Sequence, residues 1–409
     1  MFRKHIASAP TISTFLALTA IFALAILTVA AQAQTFTVIH NFTGGADGGN
    51  SYAGVTLDRA GSVYGQTVTS DGGSGLGTVY KLTHRSGGWT FAPLYDDGGF
   101  GGVTIGPNGS LYGTGAVAVG AAGVFNLQPP VHFLPNPLAP WMESSLYLFQ
   151  QGIYANPTSG VVFDRAGNVY GTTSNGGRYG GGTVYELSPS DSGWTGRVIY
   201  NFSNGTDGSF PYAGLVVDAA GNLYGTTLEG GAYGNGTVFE LTDLPGLGWS
   251  ESFLYSFTGG ADGGNPYGGL TFDLSGNLYG ATPGTYTFNG NAGSVFKLTP
   301  SGNSWTFSVV YSFTEGGDEC GPRGTPVMDA EGNLYDTTAC LGAHFAGSVF
   351  KLTPVNGGWT YTAVHDFSGN SDGAYPDAGV TFDASGNIYG TTTVGGAFPA
   401  YGVVFEITP

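Results

Sequence analysis

"GGADGGNPYGGLTFDLSGNLYG", Gly259 to Gly280, is nearly spelled a second time as "GGADGGNSYAGVTLDRAGSVYG", Gly44 to Gly65. A chain that writes the same 22 residues twice is built from repeats, and the period decides the architecture. The tyrosine of "GNLYG" and its variants recurs at Tyr64, Tyr112, Tyr170, Tyr224, Tyr279, Tyr335 and Tyr389. The gaps of 48 to 58 residues define seven units, at about 43–95, 96–149, 150–202, 203–257, 258–313, 314–367 and 368–409. Each unit holds four short apolar stretches rich in β-branched and aromatic residues, such as "GLTFD", "NLYGTT", "GSVFKLT" and "WTFSVVYSF". These read as strands. A "DxxGN" turn joins the first to the second, with Asp as a cap and Gly in the left-handed position. A Gly-rich loop joins the second to the third. Four strands in each of seven units predict an all-β, seven-bladed β-propeller. A lone unit of that size could not bury both faces of its sheet.

The two ends of the chain predict how the ring closes. The seventh unit stops after its third strand, "GVVFEIT" (Gly402–Thr408), while "QTFTVIHNF" (Gln34–Phe42) is a fourth strand with no preceding three. The N-terminal strand is therefore expected to pair with the C-terminal blade and remove the open edges of a linear array. An open solenoid is the alternative that repeat counting leaves standing. All six tryptophans, Trp89, Trp141, Trp194, Trp249, Trp305 and Trp359, begin a fourth strand, so a structural role is expected. His40 and His365 occupy the slot of Tyr200, Tyr255 and Tyr311 in other units.

Residues 1–33 read as a signal peptide: Arg3 and Lys4, an apolar run from Phe15 to Ala30, then Ala31-Gln32-Ala33. A retained N-terminal anchor is the alternative. An exported, soluble monomer formed by residues 34–409, periplasmic or extracellular, is expected. Without Arg3 and Lys4, 9 basic residues face 28 acidic ones, so nucleic acid and anionic membrane surfaces are poor partners. With 14% aromatic residues the chain is too apolar for disorder, and its 74 glycines carry no collagen period.

The combination of "GNLYGTT", a Gly-rich loop, "GTVFELT" and "LYSFTGGADGGNPYGGL" resembles the GloVer tandem repeat of exported bacterial proteins. The resemblance covers residues 34–409 and is closest in units three to five. Unit two departs from it with "GTGAVAVGAAG" and a Pro-rich insert, Gln128–Trp141. The resemblance implies export and repetition and supplies no catalytic residues.

Chemistry is expected on the face that carries both the blade-to-blade loops and the second-to-third strand loops. One recurrent column there is Asp47, Asp207, Asp262, Asp318 and Asp372. These read as turn caps; calcium binding is the alternative, although no D-x-D-x-D-G spacing is present. A second column is Tyr52, Phe100, Thr158, Tyr212, Tyr267, Arg323 and Asp377, a ring suited to a sugar or a partner's loop. Cys320 and Cys340 are the only cysteines and fall in two loops of one unit, which predicts a disulfide worth about 3 kcal/mol. Around it sit Glu319, Arg323, Asp336 and His344. They read as a local ion pair of Arg323 with Asp336 or Glu319, or else as acid, base and arginine of a site. Asp336 replaces a glycine kept in the other six units. "GNSDG" (Gly369–Gly373) matches a nucleophile-elbow pattern but has no helix after it, so Ser371 is not a nucleophile candidate. Two functions follow. The first is a non-enzymatic propeller that binds carbohydrate or protein and needs no cofactor. The second is a propeller hydrolase or lyase acting on glycans or lactones, with Asp336, His344, Glu319 and Arg323 as its acid/base set.

Overall fold

A computed structural model describes residues 34–69, 77–96, 98–118, 121–130, 140–149, 156–284, 293–314 and 320–409. The expected signal peptide, Asp318, Glu319 and most of the Pro-rich insert lie outside the described residues. All regular elements among them are strands, gathered into seven four-stranded antiparallel sheets. The protein is a seven-bladed β-propeller. In the fifth blade, Thr271–Phe272, Leu278–Thr282, Ser294–Ser301 and Ser304–Ser312 run in that order from the axis outward. Burial is greatest in the second strand and falls from there outward. Leu278–Thr282 is buried along its whole length, whereas Ser304–Ser312 is largely exposed or half-buried. No described helix is long and apolar enough to cross a membrane.

The "DxxGN" turn forms as its residues dictate. Asp273 Oδ1 accepts the N–H groups of Ser275 (2.8 Å) and Asn277 (2.9 Å), and Gly276 takes φ +81°. The next glycine, Gly280, faces the Phe296 ring so closely that a Cβ there would overlap it. Tyr279 then turns its hydroxyl to Asp273 Oδ2 (3.3 Å) and packs edge-on against Trp359 of the next blade. All six tryptophans meet the corresponding tyrosine of the preceding blade in this way, as Trp305 meets Tyr224 at 6.0 Å.

The apolar core lies between blades. Seven buried clusters are present, and each takes residues from two consecutive blades, such as Tyr224 and Phe257 with Leu270, Leu278 and Phe296. Near the axis a belt of side-chain hydrogen bonds crosses the same gaps. Thr114 donates to Ser159 O (2.8 Å), Thr172 to Ala213 O (3.0 Å), Thr226 to Gly268 O (3.0 Å) and Thr337 to Ala378 O (2.9 Å). Thr391 donates to Ala53 O (3.0 Å), which ties the last blade to the first.

The ring closes through the N-terminal strand. Thr35–Asn41 pairs antiparallel with Val403–Thr408, with Phe36 opposite Ile407 and Val38 opposite Phe405. Two histidines flank this seam. His365 stacks on Phe36 (3.8 Å between centroids) and bonds Asp372 (3.2 Å); His40 stacks on Phe91 (4.3 Å) and bonds Asp47 (3.1 Å). Tyr255 makes the same contacts in the fourth blade, on Phe307 and Asp262. Burial holds both imidazoles below their usual range, against the pull of their aspartates. The unfolded chain therefore takes up protons first as pH falls below about 6.5, and stability drops from that point. His365→Tyr, which restores the residue of other blades, is expected to remove about 1–2 °C of the fall in Tm between pH 7.5 and 5.5. An unchanged fall in a thermal melt would count against this seam contribution.

Candidate functional site at the axial mouth

Pairing between the two loop families places them on one face: Ser209 bridges Glu229, and Ala374 bridges Val394. The last residue of each blade-to-blade loop points its side chain to the axis there. Tyr52, Phe100, Thr158, Tyr212, Tyr267, Arg323 and Asp377, one per blade, ring the mouth of the central channel. Among the glycines that follow them, Gly268 and Gly324 line the channel where a neighbouring backbone comes too close for a Cβ.

The ring is not uniform. Tyr212 and Tyr267 meet at 5.6 Å, and Tyr52 and Phe100 also meet at 5.6 Å, each pair tilted. Arg323 lies over Tyr267 at 5.4 Å and makes a 3.2 Å ion pair with Asp377. Burial raises the Asp377 carboxyl, and Arg323 opposes that shift. On the other side Thr158 donates to Tyr212 O (3.3 Å). Above the ring opens a cavity of about 520 Å³ lined also by Asn156, Ser174 and Asn175. Asn175 Oδ1 accepts Asn156 N–H (3.0 Å), and Asn156 O accepts Ser174 N–H (2.8 Å). The site thus has two aromatic walls, one charged pole and one amide-and-hydroxyl pole. Such a mixture grips a small polar ligand with apolar faces.

The aspartate column of sequence candidates serves the turns. Asp262 accepts Thr258 N–H (2.7 Å), Thr258 Oγ1–H (2.5 Å), Gly260 N–H (3.2 Å) and the Tyr255 hydroxyl (2.9 Å). Asp207 repeats this set with Ser203, Gly205 and Tyr200; Asp47 and Asp372 accept both donors of Thr43 and of Ser368 and meet a histidine in place of the tyrosine. The four carboxylates sit in four separate turns, and each is engaged by donors of its own turn. No group of three or more His, Cys, Asp or Glu placed to hold a metal ion occurs among the described residues.

The sixth blade carries the irregular set. Cys320 and Cys340 form a disulfide with Cα atoms 4.5 Å apart. Asp336 is wholly buried beside Gly324 of the channel wall. Its Oδ1 accepts Thr337 N–H (2.8 Å), and Oδ2 has no hydrogen-bond partner among the described residues. Burial pushes its carboxyl up to about 8. His344 stands exposed at a loop tip. Of the acid/base set Asp336, His344, Glu319 and Arg323, Asp336 is sealed in and His344 faces solvent, while Glu319 lies outside the described residues. Arg323 makes an ion pair with Asp377 of the next blade, a partner that the expectation of Asp336 or Glu319 did not include. The ring's curvature brings that carboxylate alongside, although 54 residues separate them.

Comparison with known proteins matches this architecture. The model of the Gloeobacter/Verrucomicrobia repeat matches residues 141–325 and 248–409, well over half of the chain.

The chain belongs to the Gloeobacter/Verrucomicrobia repeat family.

The match covers the regular units from the fourth strand of the second blade onward. No curated protein sequence matches the chain. Among solved structures, a candidate 6-phosphogluconolactonase of Bacteroides uniformis is 15% identical, with a TM-score of 0.51 over 80% of this chain and 88% of that one. A candidate oxidoreductase (glucose dehydrogenase) of Thermus thermophilus is 14% identical, with a TM-score of 0.43 over 92% of this chain and 100% of that one. At such identity the first likeness shows the fold alone. Members of this repeat family can therefore be read only from their own residues. In this one, Asn156, Ser174 and Asn175 escaped sequence reasoning: Asn156 shares the loop slot of Asn50 and Asn265, two residues before the ring side chain, and the residue type changes from unit to unit at the other two positions.

Proposed function

We propose that the protein binds carbohydrate, without cleaving it, at the axial mouth, and that it does so outside the cytoplasm. The observation that carries this reading is the ring itself. Two aromatic pairs, Tyr52–Phe100 and Tyr212–Tyr267, face a cavity of about 520 Å³, with Arg323–Asp377 and the Asn156–Asn175 group at its polar ends. Sugar rings present C–H faces to aromatic walls and hydroxyls to amides, carboxylates and guanidinium groups. Asp377 is the one carboxyl lining the cavity among the described residues, and it is engaged by Arg323. Glycosidic cleavage ordinarily uses two carboxyl groups flanking the bond. The disulfide and the signal-like N-terminus support an exported location.

Titration of the purified protein with xylotriose, laminaritriose and maltotriose tests the reading, together with a reducing-end assay on the same sugars. Binding of at least one sugar without cleavage is expected. Tyr267→Ala is expected to weaken that binding about tenfold, a loss of ~1.4 kcal/mol. Release of new reducing ends, or equal binding by Tyr267→Ala and parent, would overturn the proposal.

A further inference from the structure

A second set of aromatic side chains stands on the same face, further from the axis. The second-to-third strand loops of the third, fourth, sixth and seventh blades carry Tyr179, Tyr233, His344 with Phe345, and Phe398 at their tips. Tyr179, Tyr233, Phe345 and Phe398 are between 46 and 71% exposed. What sets these side chains apart from singly scattered surface aromatics is their recurrence at the tips of one loop family on one face. Phe345 adds an independent sign. It holds φ +56°, where the matching positions of the third and fourth blades are Gly180 (φ +81°) and Gly234 (φ +80°). A bulky residue is strained in that region, and here it recovers nothing by burial.

We propose that these tips form a peripheral crown of stacking platforms for a neutral polysaccharide whose end or side unit occupies the axial cavity. The inference rests on the carbohydrate reading of that cavity. Two features select the occupant. Each platform rises from a different blade on a glycine-flanked tip, so the aromatics are separated around the rim. A protein partner needs a contiguous desolvated centre, whereas a polymer of repeated sugars is matched by spaced, repeated platforms. The chain's formal net charge of −17 also disfavours anionic polymers. Contacts at both axis and crown would add by effective concentration, so a polymer should bind far more tightly than its own short fragment.

The test compares xylan, laminarin and amylose with the matching trisaccharides, using the full chain, a Tyr233→Ala/Phe398→Ala variant and Tyr267→Ala. Both crown residues are exposed, so the double variant should keep the parent's melting temperature. The parent is expected to bind one polymer at least tenfold more tightly than its trisaccharide. The double variant is expected to lose that advantage and keep the trisaccharide affinity. Unchanged polymer affinity in the double variant overturns the crown and leaves the axial reading intact. Loss of polymer binding in the double variant with no trisaccharide binding by the parent overturns the axial reading and with it the two-point contact. A parent that forms a dimer abolished by the double substitution assigns the crown to a second copy of the chain and overturns the polymer. No binding of any of the six sugars overturns both readings.

Discussion

Deleting residues 34–42 is expected to abolish cooperative folding of the ring. The deletion removes the partner of Val403–Thr408 and leaves that strand as a bare edge, in register for pairing with other chains. It also empties the buried cluster between the seventh and first blades, where Ile39 and Phe42 pack with Val55, Val63, Tyr80 and Val404. Since every core cluster spans two blades, one opened gap leaves two blades half-covered. A milder variant isolates the packing term. Phe42 is fully buried, so Phe42→Ala should cost about 3–5 kcal/mol, a visible loss of Tm in a ring that still closes. Size-exclusion chromatography and thermal melts read both. A monomeric, cooperatively melting deletion variant would show that the seam contributes little and that the seven sheets stand as an open array.

The second large effect is a gain. Asp336→Gly is expected to stabilise the protein, increasingly so as pH rises from about 4 to about 8. The folded carboxyl is pushed up to about 8 by burial, while an unfolded aspartate titrates near 3.9. Between those values the folded state holds a proton that the unfolded state has released. The contribution of this one carboxyl to stability is therefore greatest below about 4 and falls as pH rises, by up to about 1.4 kcal/mol per unit, until it levels off above about 8. The glycine variant has no such slope and restores the residue found beside the core aromatic in every other blade, as Gly280 faces Phe296. The backbone entropy it reintroduces, about 1 kcal/mol, is smaller than several units of that slope. Asp336→Asn keeps the shape and removes the charge, so it should flatten the pH profile as well. Denaturant midpoints at pH 5 and pH 8 decide the matter. Parallel profiles for parent and Asp336→Asn would mean that Asp336 is charged and satisfied in the folded protein.

These two sites mark different depths of legibility. The closure could be read in the sequence because it follows from pattern alone: "QTFTVIHNF" matches a fourth strand, and the last unit lacks one. Asp336 was visible as a break in "LYG", yet its neighbours suggested a catalytic or ion-paired group. Strand alternation alone could not say that it would be sealed against Gly324 with one oxygen unpartnered. The axial ring was legible as a column of equivalent positions. The way its members associate was not, because Arg323 and Asp377 meet only through the angle between adjacent blades. The crown was missed because each aromatic sits in a Gly-rich loop that reads as a connector when taken alone.

The amino-acid sequence determined the seven units, the four strands in each, the Asp-capped turns, the cysteine pairing and the strand that completes the ring. All of these rest on interactions within one repeat, or on the count of repeats, and so follow from local residue chemistry. The tertiary structure alone decided which residues share a site. The ring at the axial cavity takes one side chain from each of seven blades, and their distances depend on how far every sheet is turned against its neighbour. That turning is set by side-chain packing between blades, and no short stretch of sequence contains both sides of the contact.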